Sequence, residues 1–316
     1  MPGTPRPRPD LAGLLILVLP PLFWAGNFVV GRAVRGDVPP MTLSFGRWLI
    51  AFACLLPFAW RPLRRDLPRY WQHRWRLLGL AVVGVAAFNS LVYAGLRSTT
   101  ATNGLLLNSF IPLLIVLFGA LFYRQRLGAR QYLGLALSFA GVLTIVLHGD
   151  WTRLAALQFS HGDLVVFAAM VCWALYTLWL RGMPADIDRV GLMEAQIGVA
   201  VVCLLPLFLW EYACGQRAQW NAPALAAFAY VGIFPSVLAY LLYNLGVARV
   251  GPARAGLFIH LMPVFGALLS VLFLHEPLHA YHAAGFCLIL AGLACSGGAT
   301  RPAAATDGHP PPSRPG

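Results

Sequence analysis

The sequence predicts an all-α integral membrane protein with ten transmembrane helices in two inverted five-helix repeats. Three observations predict this fold: the composition, the length of the apolar segments and an internal repetition. Of the 316 residues, 59% are hydrophobic and 11% are charged, whereas soluble domains carry about 25% charged residues. The apolar segments recur at about the 20 residues that a helix needs to cross a hydrocarbon core about 30 Å thick.

The second half of the chain repeats the first. A shift of 151 positions superposes Pro263 on Pro112, Gly285 on Gly134, Gly292 on Gly141, and Gly246 on Gly95. A shift of 149 positions superposes Trp173 on Trp24, Arg181 on Arg32, and the segment 203–206 on 54–57. Matches of Trp, Cys, Pro and Gly at two nearly equal offsets indicate two copies of one unit. We predict repeats at 11–147 and 163–298, joined by an outer loop at 148–162.

Ten spans follow from the apolar segments. They are predicted at 11–31, 41–60, 77–96, 101–122, 131–147, 163–181, 192–210, 223–245, 252–274 and 280–298. The polar, proline-containing ends at 1–10 and 299–316 are predicted to be disordered tails.

The positively charged residues predict the orientation. All 23 are arginines. If the amino terminus is cytoplasmic, 17 of them fall in cytoplasmic segments and 5 in outer segments, while Arg47 lies within a span. This excess predicts that both termini face the cytoplasm, in the inner membrane. Because five is an odd number, the second repeat enters the membrane from the opposite side. The arginines lie in short connections rather than on one basic face, so no nucleic-acid partner is expected.

The sequence predicts neither a metal nor another cofactor. The six cysteines form no CxxC pair, and five of them lie in apolar segments, which is typical of small buried side chains. The outer segments gather His148, His161, His275, Glu276, His279 and His282. His275 and His279 have a spacing that can hold a divalent metal, but Pro277 interrupts the helix between them.

Several segments resemble the drug/metabolite transporter superfamily, and within it the ten-helix EamA-type permeases. The resemblance rests on residues 22–27 (LFWAGN), on Arg47, and on residues 273–278 (FLHEPL) followed by Gly285 and Gly292. It implies a ten-helix bundle around a central cavity, lined mainly by spans one, three, four, six, eight and nine, that exports metabolites or amino acids. The chain departs from the pattern in two ways: Gln125 occupies the position equivalent to Glu276, and the first span has no carboxylate.

Polar and aromatic side chains within the spans are candidates for substrate binding. Such groups are costly in lipid and are expected to face the bundle interior or a water-filled cavity. The candidates are Trp24, Asn27, Asn89, Tyr93, Asn108, Trp173, Tyr176, Tyr240, Tyr243, Asn244 and His260. The alternatives left open are interfacial anchoring for the tryptophans and interhelical hydrogen bonding for the others. His260 is either a proton carrier or a hydrogen-bonded packing residue.

Other residues of the spans have alternative roles. Arg47 costs about 2.5–3.5 kcal/mol within a span on insertion scales; it binds a substrate anion, reaches outward to water, or bonds to backbone carbonyls. Pro112 and Pro263 are predicted to bend their helices and to act in gating, or only to kink them. Glu194 is expected to face water near the inner end of span seven. The glycine pairs 134/141 and 285/292 predict close helix packing, with a homodimer seam as one possibility.

The sequence favours a secondary transporter that exports a small metabolite, such as an amino acid, by alternating access through a central cavity. No motif resembles a phosphate-binding loop, so a gradient is the expected energy source. A flippase for a lipid carrier or a lipid-modifying protein, with the outer histidines and Glu276 as acid and base, is the main alternative. A structural membrane protein without flux is the third. The expected partners are a small-molecule substrate and the lipid bilayer.

Overall fold

The structure is a computed structural model that describes residues 11–99, 101–125, 127–150, 152, 160–274 and 279–296. No strand occurs in these residues, and nine of their helices are long and apolar enough to cross a membrane. They are α1 (Leu11–Ala33), α2 (Pro40–Gln72), α3 (Arg74–Leu96), α4 (Asn103–Tyr123), α5 (Ala129–Val146), α6 (His161–Gly182), α7 (Arg189–Ala213), α8 (Ala222–Val250) and α9 (Pro252–Leu269). A shorter apolar helix, α10 (Ala280–Ser296), follows. The predicted all-helical membrane fold is confirmed.

Some predictions fall on residues outside this description. They concern the two tails, at 1–10 and 299–316, more than half of the loop predicted at 148–162, and the segment 275–278, which contains His275 and Glu276.

α2 is longer than the sequence predicts. The predicted span ends at residue 60, whereas the helix continues to Gln72. Its 33 residues extend about 50 Å, which exceeds the thickness of a hydrocarbon core of about 30 Å. The extension is amphipathic, because Asp66 and Tyr70 are buried while its arginines are exposed. Hydropathy marks the part of a helix that lipid covers and therefore misses these polar turns. We call the end of the bundle that carries this extension the arginine-rich end.

The two repeats pack as an inverted pair. The equivalent helices α5 and α10 lie side by side and run antiparallel: a Cβ added at Gly134 would lie 2.5 Å from the carbonyl oxygen of Gly292, and one added at Gly141 would lie 2.7 Å from that of Gly285. A two-fold axis that relates two antiparallel helices is perpendicular to both, and it therefore lies in the membrane plane. Because the glycine pairs face each other within one chain, they do not form the homodimer seam that the sequence left open.

The backbone departs from a regular α-helix at equivalent places in the third helix of each repeat. α3 contains a π-helical segment at Leu80–Ala87, and α8 contains one at Phe234–Leu238. A shift of 151 positions places the second segment within the first. Such segments widen a helix locally and are frequent at functional sites.

The fourth helix of each repeat is interrupted just before its proline. α4 makes a turn at Ser109 and Phe110, ahead of Pro112, and α9 tightens to a 3-10 turn at Phe258–Leu261, ahead of Pro263. Proline cannot donate a hydrogen bond to the carbonyl four residues earlier, so helical bonding is weakened there. Any motion at these interruptions stays a prediction.

The contact between α5 and α10 can be tested with a pair of glycine substitutions. Gly141→Ala places a Cβ 2.7 Å from the Gly285 carbonyl oxygen and 2.9 Å from the Ile289 nitrogen, and overpacking of this kind costs about 1–3 kcal/mol. In the control Gly266→Ala, in α9, the added Cβ meets nothing within 4 Å, and alanine is favoured over glycine in a helix by about 0.5–1 kcal/mol. We expect the first variant to lower the unfolding temperature in detergent and the second to keep or raise it. Equal shifts would contradict the close contact.

Candidate functional site

The predicted site residues are all buried in the bundle. Their helices are α1 for Trp24 and Asn27, α3 for Asn89 and Tyr93, α4 for Asn108, α6 for Trp173 and Tyr176, α8 for Tyr240, Tyr243 and Asn244, and α9 for His260. Helical geometry accounts for this grouping, since residues three or four apart share a helix face. Neither Trp24 nor Trp173 is an interfacial anchor, because both side chains are enclosed by protein.

Residues of one repeat meet their own equivalents from the other. The ring centroids of Trp24 and Trp173 are 5.0 Å apart in an edge-to-face arrangement. The Asn89 amide nitrogen donates to the Tyr240 hydroxyl at 3.0 Å, and Nε2 of His260 lies 3.0 Å from the carbonyl oxygen of its equivalent, Ser109. A residue can touch its symmetry equivalent only near the symmetry axis. These three pairs therefore mark the pseudo-two-fold axis through the interior of the bundle.

An asparagine–tyrosine hydrogen bond occurs in both repeats with its partners exchanged. In the first repeat, the Tyr93 hydroxyl on α3 donates to Oδ1 of Asn27 on α1 at 2.7 Å. In the second repeat, the Tyr176 hydroxyl on α6 donates to Oδ1 of Asn244 on α8 at 2.9 Å. The sequence shift aligns Asn27 with Tyr176 and Tyr93 with Asn244. Both repeats therefore join their first and third helices by this hydrogen bond. The donor tyrosine is on the third helix in the first repeat and on the first helix in the second repeat.

Arg47 on α2 connects four helices through neutral oxygens. Its Nε donates to the Ser236 hydroxyl at 2.7 Å, and its Nη1 lies 2.6 Å from both Asn89 Oδ1 and the Tyr93 hydroxyl and 3.2 Å from Asn27 Oδ1. It is fully buried, so it does not reach outward to water, and these partners are side chains rather than backbone carbonyls. No carboxylate of the described residues pairs with it, and its Nη2 has no hydrogen-bond partner among them. The centre of the bundle therefore carries an unbalanced positive charge.

An aromatic cluster lies beside this polar network. The rings of Trp24 and Trp173 contact each other, and each contacts the rings of Tyr240 and Tyr243, with centroid distances of 5.0–6.1 Å. The Trp173 indole nitrogen has no hydrogen-bond partner among the described residues. The Trp24 indole nitrogen donates to the Pro235 carbonyl at 3.2 Å, and the Tyr240 hydroxyl donates to the Gly84 carbonyl at 2.8 Å. Both acceptors belong to or adjoin the π-helical segments, so the irregular backbone supplies carbonyls to the cluster.

A small cavity separates the cluster from α4 and α9. It is lined by Trp24, Asn27, Phe28, Phe88, Asn108, Ile111, Trp173, Ile259 and Met262. A water-sized sphere can enter about 10 Å³ of it, which is roughly the room for one water molecule. The Asn108 amide nitrogen contacts the Met262 sulfur at 3.0 Å across this space. The site is therefore closed, and a ligand can enter only if the surrounding helices separate.

His260 is bonded outside the central cluster. Its Nδ1 lies 2.7 Å from the Ser138 hydroxyl on α5, and its Nε2 faces the Ser109 carbonyl on α4. A neutral ring with the hydrogen on Nε2 satisfies both contacts, because the serine hydroxyl can then donate to Nδ1. These contacts match the packing alternative for His260.

The structure adds one residue, Ser236, to the predicted site and corrects the predicted position of another residue, Glu194. Ser236 was missed as a partner of Arg47, although a polar residue directly after Pro235 within an apolar span was a usable signal. Glu194 was expected to face water and is instead fully buried. α2 packs along α7 in this region, and its Pro62 and Leu63 lie against Gly191, one turn before Glu194. In the described part of the chain, no three His, Cys, Asp or Glu side chains are grouped for a metal.

Comparison with known proteins identifies the family. The model of the EamA-like transporter family matches residues 11–147 and again residues 160–297. The chain is a member of the EamA-like transporter family. Membership, together with relatives that are named as transporters, indicates a membrane transporter.

Relatives of this EamA protein occur in bacteria and archaea. The uncharacterized transporter YyaM of Bacillus subtilis (strain 168) is 28% identical over 70% of this chain and 72% of its own length. An uncharacterized transporter of Archaeoglobus fulgidus is 27% identical over 88% of this chain and 95% of its own. A solved crystal structure of another protein matches the fold with a TM-score of 0.70 at 22% identity, over 90% of this chain and 96% of the other.

The role of Arg47 in holding the EamA bundle together can be measured by Arg47→Met. This change removes a donor from four buried oxygens. Asn27 Oδ1 still accepts from Tyr93, but Asn89 Oδ1 has no other donor among the described residues, and a buried acceptor left without a partner costs about 1–3 kcal/mol. We expect a clear fall in the unfolding temperature in detergent. The control is Arg35→Met, because Arg35 is exposed and its one hydrogen bond among the described residues is to the carbonyl of Arg32. A loss no larger than that of the control would contradict the structural role.

Proposed function

We propose that this EamA-family protein is a secondary transporter that exports a small metabolite, such as an amino acid, by alternating access. The observation that carries the proposal is the meeting of equivalent residues from two inverted repeats around one closed site. Two copies of a unit can exchange conformations, so that the same site opens first to one side of the membrane and then to the other. Such a protein needs no cofactor, and a gradient supplies the energy.

The chemistry of the site supports an amphipathic substrate that carries an anionic group. The tryptophan and tyrosine rings offer an apolar wall with stacking surfaces. Arg47 brings a positive charge without a counter-charge among the described residues, and its Nη2 is a donor without a partner there. A carboxylate is the group that such a donor binds best. An amino acid or a related metabolite combines the two features.

The interruptions before Pro112 and Pro263 provide places where the site can open. They lie at equivalent positions of α4 and α9. His260, within the α9 interruption, contacts the carbonyl of Ser109, within the α4 interruption. Bending at one proline and straightening at the other would exchange the shapes of the repeats. We further propose that the arginine-rich end faces the cytoplasm, with both termini on that side of the inner membrane, in agreement with the distribution of arginines.

The proposal is tested by counterflow in proteoliposomes with a panel of labelled amino acids, sugars and amines. For any compound that exchanges, we expect Trp24→Ala and Tyr243→Ala to reduce the rate about tenfold, because each loses ring contacts worth about 0.5–1.5 kcal/mol per pair. The matched controls are Trp210→Ala and Tyr132→Ala, whose side chains are 65% and 51% exposed. Unchanged rates in both site variants would remove the assignment of the site, and no exchange of any compound would count against transport of these classes.

A further inference from the structure

Among the described residues, Glu194 on α7 is buried without a hydrogen-bond partner. It is 0% exposed, and neither of its carboxyl oxygens has a hydrogen bond in the described structure. The other buried carboxylates of the described residues are Asp66, Asp163 and Glu211. Asp66 accepts from Arg65 and from the Asp188 amide, and Asp163 accepts from Thr99, Asn103 and Ser160. Glu194 is therefore the exception among them.

Glu211, on the same helix, shows how a buried carboxyl group is satisfied elsewhere in this protein. Its oxygens accept from the backbone nitrogens of Met41 and Thr42 at 3.0 and 2.7 Å and from the Thr42 hydroxyl at 2.8 Å. These donors are at the start of α2, where backbone N–H groups are free and the helix dipole favours a negative charge. Glu194 has no such environment. An isolated buried carboxylate is so costly that the group takes up a proton instead.

The packing of the fold does not explain the carboxyl group. The equivalent of Glu194 in the first repeat is Phe45, whose ring stacks on Phe208 with centroids 4.9 Å apart. An apolar side chain therefore serves at this position of the repeat. The second repeat carries an acid at a position where burial makes it expensive, and an ionisable residue inside a membrane protein is by default a functional candidate.

Glu194 lies at the contact between α2 and α7. Three residues before it, a Cβ added at Gly191 would lie 2.8 Å from the Tyr70 hydroxyl and 3.1 Å from the Leu63 nitrogen. We call this contact the α2–α7 seam. The Tyr70 hydroxyl is also buried and has no hydrogen bond to any described residue. α2 lies against α7 one turn from Glu194, and Glu194 itself is fully enclosed, so water can reach it only if the helices around it separate.

The charged and titratable groups around the seam do not pair with Glu194. At the arginine-rich end these groups are Asp66 and Tyr70 on α2, Arg74 and Arg76 on α3, Arg249 on α8, and Arg189 on α7 itself. Asp66 is paired with Arg65 and Arg69, and Arg76 bonds to the Gly182 carbonyl. None of these groups forms a hydrogen bond or an ion pair with Glu194.

We propose that Glu194 is a proton-binding site that controls the α2–α7 seam. While the seam is closed, the carboxyl group keeps its proton. When the seam opens at the arginine-rich end, water solvates the group, its O–H bond breaks, and the proton passes to water and leaves a carboxylate. Closing the seam reverses the step. The inference rests on the proposed function, because it makes opening of the site toward that end depend on the pH there.

The first experiment needs no substrate. Purified protein is treated with dicyclohexylcarbodiimide, which reacts with protonated carboxyl groups in apolar surroundings, and the modified peptides are identified by mass spectrometry. We expect modification of Glu194 at neutral pH that declines as the pH rises, and at least tenfold less modification of Glu211. Modification of Glu211 to the same extent, or none at Glu194, would overturn the proposal.

The second experiment compares thermal unfolding of the wild type, Glu194→Gln and Glu211→Gln between about pH 5 and about pH 9. The folded state keeps a proton that the unfolded chain has released, so the wild-type midpoint should fall as the pH rises from about 5, by roughly 2–4 °C per pH unit, and should level off where the folded state also releases its proton. In Glu194→Gln this fall should be absent. Glu211→Gln should retain the fall with pH but unfold at a lower midpoint. The NH2 group of the new amide would face the backbone N–H donors at the start of α2, and two donors cannot bond to each other. The same slope in Glu194→Gln and in the wild type would overturn the proposal.

Counterflow separates this inference from the proposed function. For a panel compound that exchanges, Glu194→Gln should lose the pH dependence of the rate, while Tyr132→Ala keeps it. If no compound exchanges, the proposed transport is in doubt, and the labelling and unfolding experiments still decide whether Glu194 binds a proton. A pH dependence that persists in Glu194→Gln refutes the control of the seam even if transport is confirmed.

Discussion

The guanidinium of Arg47 ties the centre of this bundle together. In a bilayer, polar groups at mid-depth must find their partners inside the protein. Arg47 supplies donors to Asn27, Asn89, Tyr93 and Ser236, and so it fixes the relative positions of α1, α2, α3 and α8. These helices come from both repeats. The aromatic cluster and the small cavity lie beside this network, and their shape depends on it.

The symmetry of the fold places equivalent positions of the two repeats in contact, but the residues at some equivalent positions differ in charge and polarity. The second repeat has Gln196 in place of Arg47, and its amide is buried without a hydrogen bond in the described structure. That repeat also carries Glu194 where the first has Phe45. One half therefore contributes a positive charge to the interior, and the other half contributes an acid. Two inverted units of the same shape thus need not respond alike to a ligand or to a change of pH.

Much of the fold could be predicted from the sequence, because lipid imposes simple requirements. Membrane helices need about 20 apolar residues, and Trp, Pro and Gly recurring at a fixed offset reveal a duplicated unit. The burial of polar residues in the spans was predictable for the same reason, since such groups avoid lipid. The extension of α2 was not predictable from hydropathy, because helical turns beyond the membrane contact water and protein instead.

The pairing of the site residues could not be predicted, because it depends on how each helix is rotated against its neighbours. The sequence placed Asn27, Tyr93 and Arg47 in three spans but gave no sign that they bond to one another. It also left His260 between two roles, which only its contacts with Ser138 and Ser109 distinguish. The burial of Glu194 was predicted wrongly because packing between helices, rather than its neighbours in the sequence, excludes water from it.

The contacts across the pseudo-two-fold axis have a consequence for how such a protein can change over generations. If the halves were separate and identical chains, a residue at the axis would meet a copy of itself, and one substitution would alter both sides at once. Joining the halves in one polypeptide removes that restriction. Asn89 can donate to Tyr240, and His260 can bond to the backbone carbonyl of Ser109, because the two members of each pair are encoded separately.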